Sequence, residues 1–301
     1  MKQFLKILMA ILLFSNFSYA QKQSNKLKVI TYNIWNGFDW GKDNVRQEKL
    51  ISWIKSQQPD VVALQELCGY TEEKLKNHAS KWGHEYTVLL KTTGYPVGIT
   101  SNKPILLKEK IFDGLHHGAL HCKTSGIDFM VIHLHPGSYM KRRKEARILI
   151  EKLEKVKKEN PNYILLGDYN AHSPFDADLY DSNGYFLNRL RKGNIDKPET
   201  GNVFNKNLDY AVLNSFLSLP LIDVCQPFTK GIKERGSFPG RVLGPINKET
   251  TVQLVSRLER IDYILASPEL AKRCINSKVA NKKENWFLSD HYPAIAEFDM
   301  D

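Results

Sequence analysis

Apolar residues along this chain are grouped in short runs that have the length of β-strands. Leu27 to Asn33 (LKVITYN) alternates and is rich in β-branched residues, and Val61 to Glu66 (VVALQE) and Tyr163 to Leu166 (YILL) are largely apolar. Such runs, bounded by turn signals, predict buried strands. Arg260 to Leu265 (RIDYIL) and Ala294 to Phe298 (AIAEF) are further strands of this kind.

Helices are expected between several of these strands. Asp43 has the side chain of an N-cap for a helix that extends to Gln58, where Pro59 stops it. Thr71 is the expected cap of a second helix, which closes at Gly83. The other predicted strands are Glu85 to Leu90, Val97 to Ser101, and a hairpin of Ala119 to Thr124 with Asp128 to His133 across Ser125-Gly126.

A strongly basic helix is predicted over Lys141 to Glu159. It contains nine Lys or Arg and four Glu, and Ala146, Leu149, Leu153 and Val156 form its apolar stripe. Its charges are expected to make a solvated outer face.

The segment from Pro174 to Asn207 is polar and rich in turn residues. We expect it to be irregular and to cover a site, with a helix only near Leu208 to Phe216, because long irregular segments more often carry function than fill a core. No internal repeat, low-complexity tract or linker is visible in the sequence. Residues 21–301 are therefore interpreted as one α/β domain.

The first 20 residues have the pattern of a secretory signal peptide. Lys2 and Lys6 precede an apolar run from Ile7 to Phe14, and Ser18-Tyr19-Ala20 is a small-x-small cleavage site. The run is too short to cross a bilayer, so we expect cleavage after Ala20 and a secreted or periplasmic protein of 301 − 20 = 281 residues. No later segment is apolar enough for stable membrane insertion, and we expect a monomer.

The charge balance is basic but unevenly distributed. The chain has 43 Lys and Arg against 33 Asp and Glu, a net charge of +10, which becomes +8 without Lys2 and Lys6. The helix from Lys141 to Glu159 alone carries 9 − 4 = +5, which weakens the case for a general nucleic-acid surface. A smaller cluster, in the segment from Gln226 to Ser256, is the better candidate for contact with an anionic substrate. Its charged residues are Lys230, Lys233, Arg235, Arg241 and Lys248, with Glu234 and Glu249.

Four cysteines, Cys68, Cys122, Cys225 and Cys274, could form two disulfides in an exported chain, with three possible pairings. No CxxC motif or Cys/His metal spacing is present. We interpret the cysteines as structural and leave their pairing open.

Polar side chains stand at five separate strand ends or flanks, and in α/β folds such groups converge on one crevice. They are Asn33, Glu66, His133, Asp168 with Asn170, and Asp290 with His291. Their carboxylate and amide oxygens suit Mg²⁺, Mn²⁺ or Ca²⁺ better than a thiolate and imidazole zinc site would. Turn hydrogen bonds by Asp168 and Asn170, or a turn at Asp290 and His291 before Pro293, are the alternative interpretation.

The order of these motifs resembles the endonuclease/exonuclease/phosphatase superfamily of metal-dependent phosphohydrolases. The resemblance extends over nearly all of residues 21–301 and implies the DNase I-like fold, a four-layer α/β sandwich of two mixed β-sheets flanked by helices. One motif differs, since SNKPI stands at Ser101 to Ile105 where the family often has a Ser-Arg-x-Pro-Ile sequence. The others are TYNI at Thr31 to Ile34, LQE at Leu64 to Glu66, HLH at His133 to His135, GDYN at Gly167 to Asn170, RIDYIL at Arg260 to Leu265 and SDHYP at Ser289 to Pro293.

The resemblance also implies a role for each polar residue of the crevice. Glu66 is expected to be the principal metal ligand, and Asn33 and Asp290 to complete the metal environment. Asp168 is expected to orient or deprotonate the attacking water, and Asn170 to hold a phosphate oxygen.

By the same resemblance, His291, oriented by Asp262, stabilises the charge that builds on phosphorus, and His133 contacts the phosphate or donates a proton to the leaving oxygen. An acid within the apolar strand RIDYIL then has a physical reason, because an Asp fixes the tautomer of an imidazole and raises its basicity. Roles stay open for His116, His117, His121, His135 and His172.

The sequence therefore predicts an exported, metal-dependent phosphoric ester hydrolase, with a phosphodiester preferred over a monoester. A nuclease would need a basic, partly aromatic groove, and no run of basic residues interleaved with aromatics is visible. A sphingomyelinase-like lipid phosphodiesterase would need an exposed apolar hairpin, and none is evident. A small phosphodiester needs neither feature. A binding module without catalysis is the alternative from another class, but it predicts gaps in the site that the sequence does not have.

Overall fold

Two mixed β-sheets of six strands each form the centre of this protein. The structure, a computed structural model, describes residues 25–182, 184–196 and 201–301, so the predicted signal peptide of residues 1–20 lies outside the described residues. The strands in chain order are β1 Lys26–Asn33, β2 Val61–Gln65, β3 Tyr86–Leu89, β4 Gly98–Ser101, β5 Leu106–Ile111, β6 Ala119–Thr124, β7 Ile127–His133, β8 Tyr163–Asp168, β9 Val203–Phe204, β10 Asn207–Leu208, β11 Ile222–Asp223, β12 Asp262–Ala266, β13 Cys274–Val279 and β14 Ala294–Asp299.

The first sheet has the strand order β13-β14-β1-β2-β4-β3 and the second has the order β11-β12-β8-β7-β6-β5, while β9 and β10 pair separately. One parallel pair lies in the middle of each sheet, β1 with β2 and β7 with β8, and the other pairings are antiparallel. This mixed arrangement confirms the predicted fold class.

The sheets pack face to face, and alternate residues of one strand enter different cores. Phe129 and Val131 of β7 lie between the sheets, whereas Met130 and Ile132 lie in the core on the outer side of the second sheet. On β1, Val29 points to the core between the sheets and its neighbour Ile30 to a third core. Both faces of these strands are covered, which explains why their sequences are apolar at nearly every position.

Helices cover the outer faces of both sheets. The predicted caps are confirmed, because the side chain of Asp43 accepts a hydrogen bond from the backbone N–H of Arg46 and that of Thr71 from Lys74. The helices are α1 Asn44–Gln57, α2 Glu72–Lys81, α3 Tyr139–Glu159, α4 Ala177–Asp181, α5 Gly184–Asp196, α6 Ala211–Leu217, α7 Ile232–Arg235, α8 Leu243–Asn247, α9 Thr251–Ser256 and α10 Pro268–Ala271, with 3₁₀ turns at Pro174–Asp176, Gln226–Phe228 and Lys283–Asn285.

The segment from Pro174 to Asn207 is more regular than its composition suggests. It contains α4 and α5, and the expectation of an irregular cover is wrong for these described residues. Tyr180 and Phe186 stack with ring centroids 5.1 Å apart, and both are buried in a small core of their own. A few apolar residues are enough to pack these short helices, because they all belong to one local cluster. The polar composition of the segment therefore did not predict the helices.

The apolar stripe of α3 is buried as predicted, but two of its charges are not solvated. Arg142 is fully buried and donates to the carbonyl oxygen of His135 and to the side-chain oxygen of Asn202, both at 2.6 Å. Glu145 accepts from the backbone N–H groups of His116 and His135 at 2.7 and 2.8 Å. Arg142 and Glu145 therefore connect α3 to the loops that contain His116, His135 and Asn202. They are not part of an outer charged face.

The four cysteines are free thiols. Cys122 and Cys225 are part of the core between the sheets, and burial raises the pKa of the thiols of Cys68 and Cys122 to about 12. None of the three disulfide pairings that the sequence left open is formed in the structure.

Within residues 25–182, 184–196 and 201–301, no helix combines the length and the apolar character needed to cross a membrane.

Candidate active site

The predicted polar residues meet where the two sheets pack together at one rim. His133 lies beside Asp168 in the parallel pair of β7 and β8, and Asp262 lies opposite Asp168 in the antiparallel pair of β8 and β12. Gly167 makes this close packing possible, because a Cβ there would lie 2.0 Å from the carbonyl oxygen of Ile132. Strand register therefore brings three of the predicted residues side by side.

Asp168 is at the centre of the site and is 1% exposed. Its Oδ2 accepts a hydrogen bond from Asn33 Nδ2 at 3.0 Å and lies 3.5 Å from His133 Nε2 and 3.8 Å from His291 Nε2. Its Oδ1 accepts from the backbone N–H of Asn170 at 2.8 Å. Burial raises the pKa of Asp168 to about 8, although His291 opposes this rise. A carboxylate with a raised pKa is a stronger base than an exposed one.

His291 is held as a cation between two carboxylates. Its Nδ1 lies 2.8 Å from Asp262 Oδ2, and its Nε2 faces Asp168. Burial alone would lower its pKa, but Asp262 and Asp168 together raise that pKa well above the usual value. The ring of Phe238 packs against His291 with centroids 4.9 Å apart, so the imidazole is fixed on its face as well as at its edge.

His133 has the opposite electrostatic character. Burial and the neighbouring His291 lower the pKa of His133 to about 3, so its ring is neutral at physiological pH. It stacks on His117 with ring centroids 4.2 Å apart, and its Nδ1 is buried without a hydrogen-bond partner in the described part of the chain. A neutral imidazole can donate one hydrogen bond and accept another without adding charge to the site.

Glu66, Asn33 and Asp290, the predicted metal residues, lie on the first-sheet side of the site. Asn33 Nδ2 donates to Glu66 Oε1 at 3.1 Å as well as to Asp168. Burial, together with the charge of Glu66, raises the pKa of Asp290 to about 6. Two oxygen-bearing acids that repel each other in a buried site are a donor set that fits a hard divalent cation.

A second group of ligand atoms also lies close together. Within the described ranges, Asp168, Asp262 and His291 are the only group of three or more His, Cys, Asp or Glu residues whose ligand atoms all lie within 4.8 Å of one another. Both ring nitrogens of His291 face carboxylates, however, and this arrangement already balances their charge with a proton. We therefore regard the side of Glu66 and Asp290 as the better fit for a cation.

Strained backbone at and near Glu66 is consistent with a functional role for this residue. Trp35 to Trp40 all have positive φ and form a left-handed helical segment, Trp35–Gly41, and Glu66 itself has φ 60°. The backbone N–H of Asn36 in this segment donates to Glu66 Oε2 at 2.7 Å. Left-handed backbone costs roughly 1–2 kcal/mol per non-glycine residue and persists mainly at functional sites.

Two supporting residues were not found by sequence reasoning. Ser289 donates its hydroxyl to the carbonyl oxygen of Asn33 at 2.7 Å, which ties the turn that carries His291 to the end of β1. The guanidinium of Arg46 donates to the carbonyl oxygens of Ile34 and Leu288 at 2.8 and 3.1 Å. Ser289 lies within the SDHYP motif and could have been noticed, whereas nothing in the sequence around Arg46 marks it.

Three of the histidines whose roles the sequence left open lie next to the site. His116 and His117 have ring centroids 4.4 Å apart, and His117 connects this pair to His133. His135 packs on His116, and its Nδ1 accepts from the backbone of Gly137 at 3.0 Å.

Two further histidines whose roles the sequence left open have partners of their own. His121 pairs with Asp128 in the β6–β7 hairpin and His172 with Glu259, each at 2.7 Å. These contacts give both of them a structural function.

The raised carboxyl pKa values predict a pH-dependent response to metal. The ordinary value for both acids is 3.8, so their contribution to stability is present below that pH and is lost as pH rises through about 6 for Asp290 and about 8 for Asp168. At pH 8, Mg²⁺ at a hundred times its Kd is expected to add about 2.7 kcal/mol to the free energy of unfolding. Tm should rise by on the order of 5 °C. The same Mg²⁺ concentration should raise Tm by less at pH 5, because the carboxyl group of Asp290 is then largely protonated.

Thermal unfolding followed by circular dichroism, with Mg²⁺ or with EDTA, measures this response. Glu66→Gln should remove the Mg²⁺-dependent shift, while Glu109→Gln, which removes a carboxylate from the edge strand β5, should keep it. Equal shifts in both variants would place the ion elsewhere.

Comparisons with known proteins identify the family and the fold of this chain. The sequence profile of the Endonuclease/Exonuclease/phosphatase family matches residues 30–291. No curated protein sequence matches the chain significantly. An AP endonuclease from Archaeoglobus fulgidus superposes with a TM-score of 0.63 at 21% identity, over 91% of this chain and 100% of that one.

Two structures from Neisseria superpose equally well over 91% of this chain. A 3′-5′ exonuclease from Neisseria meningitidis has a TM-score of 0.64 at 22% identity over 100% of its length. A 3′ phosphatase from Neisseria, bound to a product DNA hairpin, has a TM-score of 0.62 at 22% identity over 99% of its length. At such identities the likeness establishes the fold.

Proposed function

The chain belongs to the endonuclease/exonuclease/phosphatase family and is a phosphoester hydrolase, and from that premise we propose that it is a divalent-metal-dependent phosphodiesterase. The observation that carries this proposal is the position of Asp168 Oδ2, within 3.8 Å of side-chain nitrogens of Asn33, His133 and His291. A base, a neutral donor and a cation then surround one small volume. Catalysis of phosphoryl transfer can use each of these groups, the base to activate water and the donors to stabilise charge on the phosphate oxygens.

Asp168 would accept a hydrogen bond or a proton from the attacking water and aim it at phosphorus in line with the leaving oxygen. The amide of Asn33 holds the carboxylate in place. Asn170 Nδ2 donates to the carbonyl oxygen of Leu134 at 3.1 Å, so contact with a phosphate oxygen requires this amide to be shared or to turn.

The two histidines would act on different charges. The cationic ring of His291, kept protonated by Asp262, would stabilise the negative charge on the phosphate oxygens in the transition state. His133 is neutral, which favours a hydrogen-bonding contact over proton donation as long as no phosphate is bound. A bound phosphate would raise its pKa, since a nearby anion favours the charged imidazole.

Glu66 and Asp290 would hold the divalent ion, with Asn33 beside them. When bound, the ion would supply positive charge at the phosphate oxygens and the leaving group. Mg²⁺ or Mn²⁺ suits this oxygen-rich donor set, and Ca²⁺ is a third candidate.

Export and substrate class belong to the same proposal. The pattern of Lys2, Lys6 and the run from Ile7 to Phe14 supports a secreted or periplasmic enzyme. Nucleic acid is the second candidate substrate, and it is favoured by the fold neighbours, one of which is bound to a DNA hairpin.

Hydrolysis of bis(p-nitrophenyl) phosphate by the purified chain tests the proposal. Turnover is expected with Mg²⁺ or Mn²⁺ and should be lost with EDTA and regained with fresh metal. The ratio of kcat/KM for this diester to that for p-nitrophenyl phosphate should exceed one.

Parallel assays with duplex DNA, RNA and sphingomyelin at two salt concentrations separate the substrate classes. Inhibition by salt that is confined to nucleic acid would favour a nuclease. Full activity in EDTA would contradict the metal dependence.

A further inference from the structure

A cavity of about 290 Å³ lies behind the turn that carries His291. Tyr292, the next residue, lines this cavity, while His291 faces Asp168. The rest of the lining combines the cations Lys233, Arg241 and Lys282 with apolar side chains that include Leu254, Leu258 and Trp286. None of them belongs to the active site described above, so the cavity is a separate feature of the fold.

Three cations, Lys233, Arg241 and Lys282, line the cavity without an acidic partner. Among the described residues, none of the three has a carboxylate oxygen within 4.0 Å, and none donates a side-chain hydrogen bond. The nearby acid Glu234 is engaged elsewhere, since its Oε2 accepts from the backbone N–H of Lys230 at 2.6 Å. The cavity therefore has a net positive lining and donors that are available to an anion.

Arg241 is already oriented by an aromatic ring. Its guanidinium carbon lies 3.2 Å from the centroid of the Trp286 ring, and its backbone N–H donates to the hydroxyl of Tyr292 at 3.1 Å. A stacked guanidinium keeps its in-plane N–H donors free, and this planar fork matches two oxygens of a phosphate group.

The rest of the lining is apolar. Leu254 and Leu258 are buried, and with Val255 and Trp286 they form an apolar surface beside the three cations. An inorganic anion would leave this surface uncovered. The combination suits an organic anion that has a charged group and a compact apolar body.

The cavity and the active site share a wall. Phe238 packs on His291, while the adjacent Pro239 lines the cavity. Gly240, next in the chain, donates its N–H to the carbonyl oxygen of Asp290. A Cβ at Gly240 would lie 2.3 Å from the carbonyl oxygen of Ser289, so the two segments are in direct contact. A ligand in the cavity is thus one backbone layer away from the reacting groups.

The basic residues that the sequence analysis noted between Gln226 and Ser256 have different roles in the tertiary structure. Arg235 is buried and pairs with Asp176 at 2.7 Å, so it serves packing. Lys233 and Arg241 face the cavity, where Lys282 from a distant part of the chain joins them.

We propose that this cavity is a binding site for an organic phosphate, namely a phosphate group on a compact apolar or aromatic body. Binding in the cavity is separate from the proposed phosphodiesterase function and can be measured independently of catalysis.

Titration of adenosine 5′-monophosphate into the full chain in EDTA, followed by calorimetry, tests the binding. The triple variant Lys233→Gln, Arg241→Gln, Lys282→Gln should bind at least about tenfold more weakly, because it loses every cation of the cavity. The control triple variant Lys155→Gln, Lys157→Gln, Lys158→Gln removes the same charge from the exposed face of α3 and should bind like the wild type. Equal affinities of the two triple variants would overturn the proposal.

Two further ligands define the site chemically. Hexyl phosphate should bind and inorganic phosphate should bind more weakly, since only the former covers the apolar lining. Affinity for adenosine 5′-monophosphate should persist in His133→Ala, which alters the active site and leaves the cavity intact. Loss of binding in that variant would assign the nucleotide to the active site and contradict a separate cavity site.

Discussion

Asp168→Asn is expected to lower kcat for bis(p-nitrophenyl) phosphate by about 10²–10⁴-fold. An amide cannot accept the proton of the attacking water. It would also present an N–H group to one of two donors, Asn33 Nδ2 or the backbone N–H of Asn170, both of which now donate to the carboxylate. The variant therefore loses both the base and its alignment.

The pH profile gives this prediction a second readout. Burial raises the pKa of Asp168 to about 8, so a reaction that needs its carboxylate should become faster as pH rises toward that value. This rise should be absent in Asp168→Asn. Binding of the divalent ion would shift this rise to lower pH without changing its direction, because a nearby cation favours the carboxylate.

Asp128→Asn is the matched control for Asp168. Asp128 is also a buried acid, it pairs with His121, and it stands opposite Tyr163 at the far end of the same parallel strand pair. Its replacement should affect stability more than kcat. Wild-type turnover in Asp168→Asn, or an equal loss in Asp128→Asn, would contradict the assigned role.

His291→Ala is expected to lower kcat by about 10²–10³-fold, the usual cost of removing one charge-stabilising donor from a buried site. The loss should fall on kcat more than on KM, because the cation acts on charge that develops in the transition state. Asp262 and Asp168 would also be left without their shared counter-charge.

Rescue separates a chemical role of His291 from a structural one. Added imidazole should restore part of the activity of His291→Ala if the empty space accepts the free ring. His121→Gln, which alters the histidine of the β6–β7 hairpin, should keep kcat within a few-fold of the wild type. Unchanged kcat in a folded His291→Ala would remove this residue from the mechanism.

Strand ends were the part of the site that could be predicted from sequence. Asn33, Asp168 and Asp262 each interrupt or close an apolar run, and a polar residue in that position is visible without coordinates. Strand register then placed Asp168 between His133 and Asp262, which spacing along the chain does not specify. The motifs therefore identified the residues, and the sheets determined their distances.

Charge was the least predictable property. The sequence of α3 suggests a uniformly solvated basic face, yet Arg142 is buried and bonded to loop carbonyl oxygens. The histidines are equally ambiguous, because His291 is kept charged and His133 is kept neutral by neighbours that are far away in sequence. A pKa depends on burial and nearby charges, and neither is encoded locally.

The sequence by itself determined the succession of strands and helices, the helix caps at Asp43 and Thr71, and the polar residues at the strand ends, because these follow from periodicity and local hydrogen bonding. Only the tertiary structure decided that the ends of both sheets meet around Asp168, that the thiols are unpaired, and that Lys233, Arg241 and Lys282 surround one cavity. These features depend on contacts between residues far apart in the chain, which form only when the two sheets pack together.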